Sequence, residues 1–322
     1  MKKRINDIGK DVIDLQIRSL KKLKTSINQS FEQAVKIIDK CKSKVIICGV
    51  GKSGIIASKI SATLSSVGTP SFSVSASDCS HGDLGKITNK DILILISYSG
   101  NTLELNNIIK YSKSNKITLI GMVSNKNSTL YKSANIKLLI PEVKESGHGI
   151  VPSSSTTVQL AIGDALAIAV MEKKNFGKLD FKKFHPSGNL GNKLKTARDL
   201  MLTKKRIPFI SENESMKEAL RILNLKKLGF LVVINKQGLN TGVFTDGDLK
   251  RLMQRKNKIE KNNKIKFFMT KNPYSVDENM LVSEILTFMN KRKITNLCVY
   301  KNKNKKKIIG VLHIHNLLNT LK

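Results

Sequence analysis

The sequence predicts an α/β protein in which a doubly wound parallel sheet is followed by a smaller α+β repeat in two copies. Three observations support this fold class. Short apolar runs alternate with helical patterns up to about residue 140, as in a parallel sheet with helices on both faces. Loops rich in Gly, Ser and Thr follow two of these runs. Beyond residue 196, two similar segments recur about 68 residues apart.

The first half of the chain contains five predicted strands. Residues 6–42 are amphipathic and predict one or two helices. Continuous apolar runs, which are typical of strands buried on both faces, predict strands at 44–49, 71–75, 91–96, 117–123 and 136–140. Helical patterns lie around 54–66, 102–114 and 127–134, and a longer apolar helix is expected from Thr156 to Lys173.

The second half contains an internal repeat. Residues 228–252 and 294–318 share a pattern of an apolar strand, a strand that begins with glycine, and a helix. Each copy opens with a similar short segment, at 199–203 and 267–270. A repeat of this kind predicts two equal units that bury their faces against each other. We therefore expect domains at 1–195, 196–260 and 261–322.

Two loops of the first half are candidates for anion binding. Gly49–Gly54 follows the first apolar run, and Ser97–Thr102 follows the third. Loops at the carboxyl ends of parallel strands that open into helices are where α/β folds bind anions. Because both loops are rich in hydroxyls, the sequence predicts one phosphate held by Ser and Thr side chains and backbone N–H groups.

Two other interpretations of the first loop fail. Its glycines satisfy G-x-G-x-x-G, but a dinucleotide fold also needs an acidic residue about 20 positions further on to hold the ribose. The stretch Ser71–Ala76 contains none. A nucleotide-triphosphate loop would need glycine at position 46, where Ile46 stands.

Composition limits the choice of partners. The chain has 322 residues and a formal net charge of +33, but only eight of its 57 basic residues are arginine. Surfaces that bind nucleic acid favour arginine clustered with aromatic residues. Lysine is instead spread along the whole chain with Asn and Ile. We therefore expect no specific nucleic-acid partner, although the charge would attract anionic substrates.

Cysteine usage and hydropathy suggest a cytoplasmic protein. The four cysteines form no C-x-x-C pair, so reduced thiols are the simplest interpretation. No apolar stretch is expected to reach the ~18 residues of a membrane span. The N-terminal segment is amphipathic, whereas a signal peptide would be continuously apolar. We expect no membrane partner.

Several short motifs together resemble the arabinose-5-phosphate isomerase family. They are Gly49–Gly54, His81–Gly85, Ser97–Gly100, Ser153–Thr157, Gly163–Leu166 and His185–Gly188. Members of this family join a flavodoxin-like sugar-isomerase (SIS) domain to a tandem pair of CBS domains, and Gly242–Arg251 resembles the first CBS copy. The resemblance implies interconversion of D-ribulose 5-phosphate and D-arabinose 5-phosphate for Kdo and lipopolysaccharide synthesis, by a homotetramer.

The resemblance also implies a set of catalytic residues. Aldose–ketose isomerisation through an enediol(ate) needs a carbon base, a ring-opening acid or base, and a cation near the developing oxyanion. The family's catalytic positions correspond to Lys52, Glu104, Glu145 and His185. Each has a structural alternative: a solvated lysine, an acid that favours a helix dipole, a loop carboxylate and a linker histidine. Glu145 precedes a segment that could act as a lid.

Substrate-binding residues are expected around the same loops. The resemblance and the two hydroxyl-rich loops assign to the phosphosugar Ser53, Gly68, Thr69, His81, Ser97, Ser99, Thr102, Ser154, Ser155 and Thr156. The last three residues precede a long helix and would otherwise be an ordinary N-cap. The two roles are compatible, since a helix N-terminus attracts anions.

No cofactor or catalytic metal is expected to be required. His81 has Asp78, Cys79 and Asp83 nearby, but this spacing is loose, and the resemblance implies at most an inhibitory zinc contact at His81. The family tends to have His in place of Ser75, Glu in place of Asp78 and Asn in place of Tyr98. These departures weaken a metal site, and the phenol of Tyr98 is expected to narrow the substrate pocket.

The two copies of the repeat differ at one position that matters for ligand binding. In CBS pairs an aspartate holds the ribose of an adenine nucleotide, and the first copy keeps it with Thr245 and Asp248. The second copy has His313 and Asn316 in the matching places. A neutral amide cannot replace the charge-assisted bonds. We expect at most one regulatory nucleotide per chain, or a purely structural module.

Two other functions stay open at this point. One is a sensor that binds a sugar phosphate without converting it, although such regulators usually carry a helix-turn-helix domain and none is evident before residue 44. The other is an isomerase of a different phosphosugar.

Overall fold

A computed structural model describes residues 4–185, 191, 194–254 and 262–318. The chain divides into two compact units, with the division between Phe184 and His185. Each unit has its own apolar core. The predicted domain boundary after residue 195 lies close to this division.

The first unit alternates helices and strands along the chain. Its strands are β1 (Val45–Gly49), β2 (Ser71–Ser75), β3 (Ile92–Ile96), β4 (Thr118–Val123) and β5 (Ile136–Leu139). Its helices are α1 (Ile5–Ser26), α2 (Gln29–Lys40), α3 (Lys52–Ser66), α4 (Ala76–Cys79), α5 (Asn106–Ser114), α6 (Thr129–Ser133), α7 (Ser154–Lys173) and α8 (Lys178–Phe184). All five predicted strands are present, because each apolar run is buried in the sheet.

The five strands form one parallel sheet in the order β2-β1-β3-β4-β5. This order is that of flavodoxin-like doubly wound sheets, which confirms the predicted fold class. Successive residues of β1 face opposite sides, so Ile46 joins one core and Ile47 the other. The core that contains Ile47 includes residues of α2, α3 and α7, while the core that contains Ile46 includes residues of α5 and α6.

The helix α7 corrects one expectation. Among the described residues it is the single helix that is long and apolar enough to cross a membrane, whereas no stretch of this length was expected. It is nevertheless a core helix of the first unit. It contacts α1, α2 and α3, and its apolar side is buried at Val158, Ile162, Leu166 and Val170. Burial of this kind is typical of the central helix of a globular unit.

The second unit contains two small sheets, ordered β6-β7-β8-β9 and β10-β11-β12. The strands are β6 (Phe209–Ser211), β7 (Phe230–Ile234), β8 (Asn240–Thr245), β9 (Thr270–Lys271), β10 (Ser275–Asp277), β11 (Asn296–Tyr300) and β12 (Ile308–His313). The described helices are α9 (Ala197–Leu200), α10 (Met216–Lys226), α11 (Asp246–Gln254), α12 (Val282–Arg292) and α13 (Ile314–Leu318). In both copies a helix precedes an antiparallel strand pair, β7–β8 or β11–β12.

The opening segment of each copy of the repeat packs against the other copy. The strand β9, which opens the second copy, pairs with β8 of the first copy. In return, Leu202 of the first copy exchanges two backbone hydrogen bonds with Val311 in β12. The cores show the same exchange, since Ala197 packs in the second copy and Ile265 in the first. The two copies therefore bury one another, as the repeat predicts.

Candidate functional site

The first unit gathers its polar loops at the carboxyl edge of the parallel sheet. The strands β1 and β3 are neighbours, although β2 lies between them in the sequence. The connections after β1 and β3 therefore leave in opposite directions, and α/β folds bind ligands at such a switch point. The loops that flank this point are the two that the sequence singles out, Gly49–Gly54 and Ser97–Thr102.

The loop after β1 leads directly into α3. Gly51 has a φ of +57°, which favours glycine, and Lys52 is the exposed first residue of the helix. A Cβ on Gly49 would lie 2.7 Å from the backbone of Ser53, so only glycine allows the strand and helix to approach this closely. The first turn of α3 contains no acidic residue. The positive end of the helix dipole and the Lys52 ammonium thus reinforce one another.

The loop after β3 is folded around Ser97. The Ser97 hydroxyl is buried, shares a 2.7 Å hydrogen bond with the hydroxyl of Thr102, and accepts the N–H of Gly100 at 3.0 Å. Ser99 is exposed at the tip of the loop. Glu104 follows in a short 3-10 helix, Leu103–Leu105, and is also exposed. The structure therefore leaves Ser99 and Glu104 open to solvent, while Ser97 and Thr102 hold the loop in shape.

Tyr98 has a role that the sequence did not reveal. Its ring is half-buried, and its hydroxyl accepts the backbone N–H of Val143 at 2.8 Å and donates to the Val143 carbonyl at 3.3 Å. Its hydroxyl thereby holds the chain two residues before Glu145. That the phenol narrows the substrate pocket stays a prediction.

The carboxylate of Glu145 lies at the N-terminus of α7. It accepts the backbone N–H groups of Ser153 and Ser154, both at 2.8 Å, and of Ser155 at 3.3 Å. The Ser153 hydroxyl donates to it as well, at 3.2 Å. Partial burial acts to raise the pKa of Glu145, but the hydrogen bonds from Ser155, Ser153 and Ser154 outweigh it, so the pKa lies below its usual value.

This arrangement gives the serine run before α7 a structural role. Ser154 and Ser155 are buried, and their backbone N–H groups donate to Glu145; the contacts with a substrate phosphate that we expect from this run stay predictions. The hydroxyl of Thr156 donates back to the Ser153 carbonyl at 2.9 Å. The Ser154 hydroxyl is buried and has no partner among the described residues. The first turn of α7 is thus capped by the side chain of Glu145, which the sequence placed just before a possible lid.

A continuous set of contacts links these segments. Tyr98, in the loop after β3, holds Val143, and Glu145 two residues later caps α7. Within α7, the side-chain oxygen of the buried Gln159 accepts a 3.3 Å hydrogen bond from the hydroxyl of Ser53, which lies at the start of α3. These contacts therefore connect the loop after β3, the segment around Glu145, α7 and the start of α3 in one framework at the edge of the sheet.

Gly68 and Thr69 lie at the other edge of the sheet. They precede β2, so they are at the amino ends of the strands. Thr69 is buried, and its hydroxyl accepts a 2.8 Å hydrogen bond from the ammonium of Lys174, at the C-terminal end of α7. The 20-residue helix α7 is about 30 Å long, and the serine run is at its opposite end. Within one chain, Gly68 and Thr69 cannot join the other predicted substrate contacts, which corrects that assignment.

The segment around His81 contains no metal cluster among the described residues. Ser75 caps the short helix α4, its hydroxyl accepting the N–H of Asp78 at 3.4 Å. Cys79 is buried, and His81 is exposed two residues further on. Burial, and then the charges of Asp83 and Asp78, raise the pKa of the Cys79 thiol.

His185 follows α8 directly, and it is half-buried at the start of the second unit. The rest of its motif, residues 186–188, lies outside the described part of the chain. The catalytic role of His185 therefore stays a prediction.

The second unit contains a cavity of about 880 Å³ between its two copies. Thr245 and Asp248, which we expect to hold a nucleotide, line this cavity. Burial acts to raise the pKa of Asp248, but hydrogen bonds from Thr245, Arg251 and Thr270 outweigh it and keep the pKa below its usual value. His313 and His315 of the second copy line the same cavity.

Comparisons with known proteins agree with this architecture. Residues 37–169 match the SIS domain model, and residues 197–255 and 265–322 each match the CBS domain model. The class is therefore that of SIS-domain proteins with a tandem CBS pair. Among solved structures, a sugar-phosphate isomerase candidate from Listeria monocytogenes is 31% identical with a TM-score of 0.56, covering 58% of this chain and all of its own length, 100%.

Relatives that match nearly the whole chain are more specific. Arabinose 5-phosphate isomerase KdsD from Yersinia pestis is 40% identical over 313 residues, 96% of this chain and 94% of its own. The Escherichia coli K12 protein of the same name is 36% identical over 312 residues, which are 96% of this chain and 94% of the relative. The chain belongs to the arabinose 5-phosphate isomerase family. A structure of E. coli CFT073 c3406 in complex with arabinose 5-phosphate is 37% identical, with a TM-score of 0.53, and covers 57% of this chain and 100% of its own.

Proposed function

We propose that this protein is a phosphosugar isomerase that interconverts D-ribulose 5-phosphate and D-arabinose 5-phosphate. Family membership supports the class of enzyme, and the related protein solved with arabinose 5-phosphate supports the substrate. The observation that carries the proposal is the start of α3. A lysine there is unfavourable beside the positive end of the helix dipole, unless an anion is bound, and the first turn offers no acid to neutralise it.

The polar groups at this edge suit a phosphosugar. Lys52 and Ser99 are exposed at the switch point and available for the phosphate. The first N–H groups of α3 are available as well, because the start of a helix leaves them without an intrahelical partner. Ser97 and Thr102 support them by shaping the second loop. We assign Ser53 a supporting role through Gln159.

Two carboxylates are available for the proton transfers. The reaction removes a proton from C1 of ribulose 5-phosphate and returns one to C2 through an enediol(ate). Glu104 is exposed directly after the loop Ser97–Thr102 and is the stronger candidate for this base. The Glu145 carboxylate already accepts several hydrogen bonds, which lower its pKa. We therefore assign Glu145 to positioning the start of α7 and to the electrostatics of the site. His185 would serve ring opening, and Lys52 the oxyanion.

We also propose that the enzyme is cytoplasmic, forms a homotetramer and supplies Kdo and lipopolysaccharide synthesis. Large apolar side chains support subunit contacts near the site. Ile55, Leu103 and Ile150 are 70%, 78% and 78% exposed, and they lie near Lys52, Glu104 and Glu145 in the sequence. Light scattering during size-exclusion chromatography would test the tetramer, which a monomer would contradict.

No cofactor is proposed for the isomerisation. An enediol mechanism can use Lys52 and backbone donors in place of a Lewis acid. Exhaustive chelation is therefore expected to leave the activity intact. Loss of activity, restored by one divalent ion, would favour a metal-assisted mechanism instead.

The direct test is to incubate the purified protein with ribulose 5-phosphate and a panel of other phosphosugars, and to identify the products by NMR. Arabinose 5-phosphate is the expected product. Faster turnover of another phosphosugar would support the rival isomerase. Binding without turnover of any would support a sensor.

For the second unit, we propose a regulatory ligand site in the 880 Å³ cavity, with at most one adenine nucleotide held near Thr245 and Asp248. A cavity of this size is large enough for a nucleotide. Calorimetric titration would test it, and two equivalent sites per chain would contradict it.

A further inference from the structure

The helix α1 carries apolar side chains that lie open to solvent. Its second half packs on the first unit, since Ser19 and Leu23 are buried and Leu23 belongs to the core that contains residues of α7. Four isoleucines nearer the start of the helix are exposed to 85%, 49%, 59% and 43%, namely Ile5, Ile8, Ile13 and Ile17. A group of exposed apolar side chains of this size is typical of a surface that another protein segment covers.

These isoleucines lie on two faces of the helix. Ile5 and Ile8 begin a stripe that continues, at alternating spacings of three and four residues, to the buried Ser19. Ile13 and Ile17 are four positions apart and share a face with each other. Because an α-helix turns by about 100° per residue, this second face lies beside the stripe. The first unit covers the stripe towards the end of α1, so the second face is left for another helix.

The charges of α1 are divided along its length. Residues 5–14 contain three aspartates and one lysine, which gives a formal charge of −2. Residues 15–26 contain one arginine, three lysines and no acidic residue, which gives +4. Opposite charges attract and like charges repel. An antiparallel pair of α1 helices therefore places the acidic half of each helix opposite the basic half of the other, whereas a parallel pair opposes like charges.

A lipid surface fits these charges less well than a second copy of the chain does. Helices that lie on anionic membranes carry Lys and Arg on their polar face. The exposed half of α1 is instead acidic, although the chain as a whole has a net charge of +33. The basic half of α1 in a second copy supplies the complementary charge.

We propose that α1 pairs antiparallel with the α1 of a second copy of this chain, about a two-fold axis near Ile13 and Ile17. Ile13 of each chain then packs on Ile17 of the other. The inference rests on the proposed homotetramer and names one of its interfaces. A two-fold contact uses the same surface on both copies, so both acidic halves meet a basic half. A tetramer with two-fold symmetry has more than one interface, so loss of this one leaves dimers.

Charge reversal tests the pairing, with the mass of the full chain measured by light scattering during size-exclusion chromatography. Asp7→Lys/Asp14→Lys makes both halves of α1 positive, and Arg18→Glu/Lys21→Glu/Lys22→Glu makes both negative. Each variant alone should have half the wild-type mass. An equimolar mixture of the two opposes unlike charges again and should restore the wild-type mass. Circular dichroism checks that each variant is folded.

A charge reversal away from α1 is the control. Lys126 and Lys132 are exposed in the first unit, and Lys126→Glu/Lys132→Glu should keep the wild-type mass. A loss of mass in this variant as well would show that net charge, and not the pairing of α1, determines assembly, and would overturn the proposal.

Cross-linking with a bismaleimide tests the orientation. Asn6 and Lys24 are exposed on the face of Ile13, seven and eleven positions from it. In an antiparallel pair, Asn6→Cys of one chain should link to Lys24→Cys of the other when the two variants are mixed. A parallel pair would instead link each variant to itself. Wild type gives the background from the half-buried Cys41.

Several results would overturn the proposal. They are an oligomeric wild type whose charge-reversed variants keep its mass, linking of Asn6→Cys to itself, and binding of wild type to anionic phospholipid vesicles through α1 with no change in mass on charge reversal. A monomeric wild type would contradict the homotetramer and this interface together. Isomerase activity is measured on the same preparations, and an inactive protein that assembles as described contradicts the isomerase alone.

Discussion

At the residue scale, Glu104 and Glu145 occupy different environments although both were predicted as catalytic carboxylates. Glu104 is exposed beside the loop after β3, while Glu145 caps α7 with four donors around it. A free carboxylate is a better base than one saturated with hydrogen bonds. The two residues should therefore respond differently to the same substitution.

Glu104→Gln should lower kcat by roughly 10²–10⁴-fold, the usual contribution of general acid–base catalysis, without changing the melting temperature. Glu145→Gln should lower both kcat and the melting temperature, because a neutral amide is a weaker cap for α7. Steady-state kinetics and thermal denaturation measure the two effects. The exposed Glu142→Gln serves as the control. A wild-type rate for Glu104→Gln would remove it from the mechanism.

Tyr98 offers a test of positioning. Tyr98→Phe removes both hydrogen bonds to Val143 and leaves the ring in place. We expect kcat to fall by about tenfold, equivalent to about 1.4 kcal/mol, the scale of one or two lost hydrogen bonds. The KM should change little, because the hydrogen bonds of Ser97 with Thr102 and Gly100, which shape the loop, are kept. Tyr111→Phe is a matched control, since that phenol donates to Ile87 elsewhere in the unit. Equal kcat values for both variants would refute the positioning role.

Part of this site was predictable from the sequence. The apolar run before Gly49–Gly54 places Lys52 and Ser53 at the carboxyl edge of the sheet, and the same argument holds for Ser97–Thr102. The role of Glu145 was not predictable, because its partners depend on how the intervening loop turns back. Tyr98 and Val143 are 45 residues apart, and no local pattern indicates such a contact. Gly68 and Thr69 were misplaced because they precede β2, and so lie at the amino ends of the strands, whereas the two hydroxyl-rich loops follow their strands.

At the element scale, the strands were easier to predict than the exchange of opening segments between the two copies of the repeat. The runs Ile92–Ile96 and Val45–Gly49 are continuous and fully buried, so each predicts its own strand. The repeat of the second unit was also visible. The exchange was not, because β9 has only two residues and no periodicity of its own. Its pairing with β8 depends on a tertiary contact.

The exchange rests on two glycines in equivalent positions. A Cβ on Gly242 would lie 2.6 Å from the sulfur of Met269 and 2.8 Å from the Thr270 carbonyl. A Cβ on Gly310 would meet Met201 in the same way. Glycine therefore allows each opening segment to lie against the strand of the other copy.

Gly242→Ala should destabilise the second unit by about 1–3 kcal/mol, the usual cost of overpacking, since the Thr270 backbone cannot move aside as a side chain can. Chemical denaturation measures the loss. In the control Gly247→Ala, the atoms nearest to the added Cβ are 3.5 Å away, and no loss of stability is expected. Equal stability of the two variants would contradict the close packing of β9 on β8.

At the scale of the whole molecule, the chain consists of two compact units, for which we propose different functions. The first contains the parallel sheet with the proposed isomerase site at its carboxyl edge, and the second contains a cavity between its two copies of the repeat. The net charge of +33 suits anionic ligands in both units. We propose that one carboxylate at the edge of the sheet, that of Glu104, moves a proton between two carbons of a phosphosugar.

The most direct measurement of that claim is isomerisation of ribulose 5-phosphate in D₂O, followed by NMR. A carboxylate base open to solvent exchanges the proton that it has removed, so we predict arabinose 5-phosphate with deuterium at C2. The Glu104→Gln variant should form this product at least about 100-fold more slowly, within the range for a lost general base. Absence of arabinose 5-phosphate, or product that carries no deuterium at C2 after many turnovers, would contradict the account.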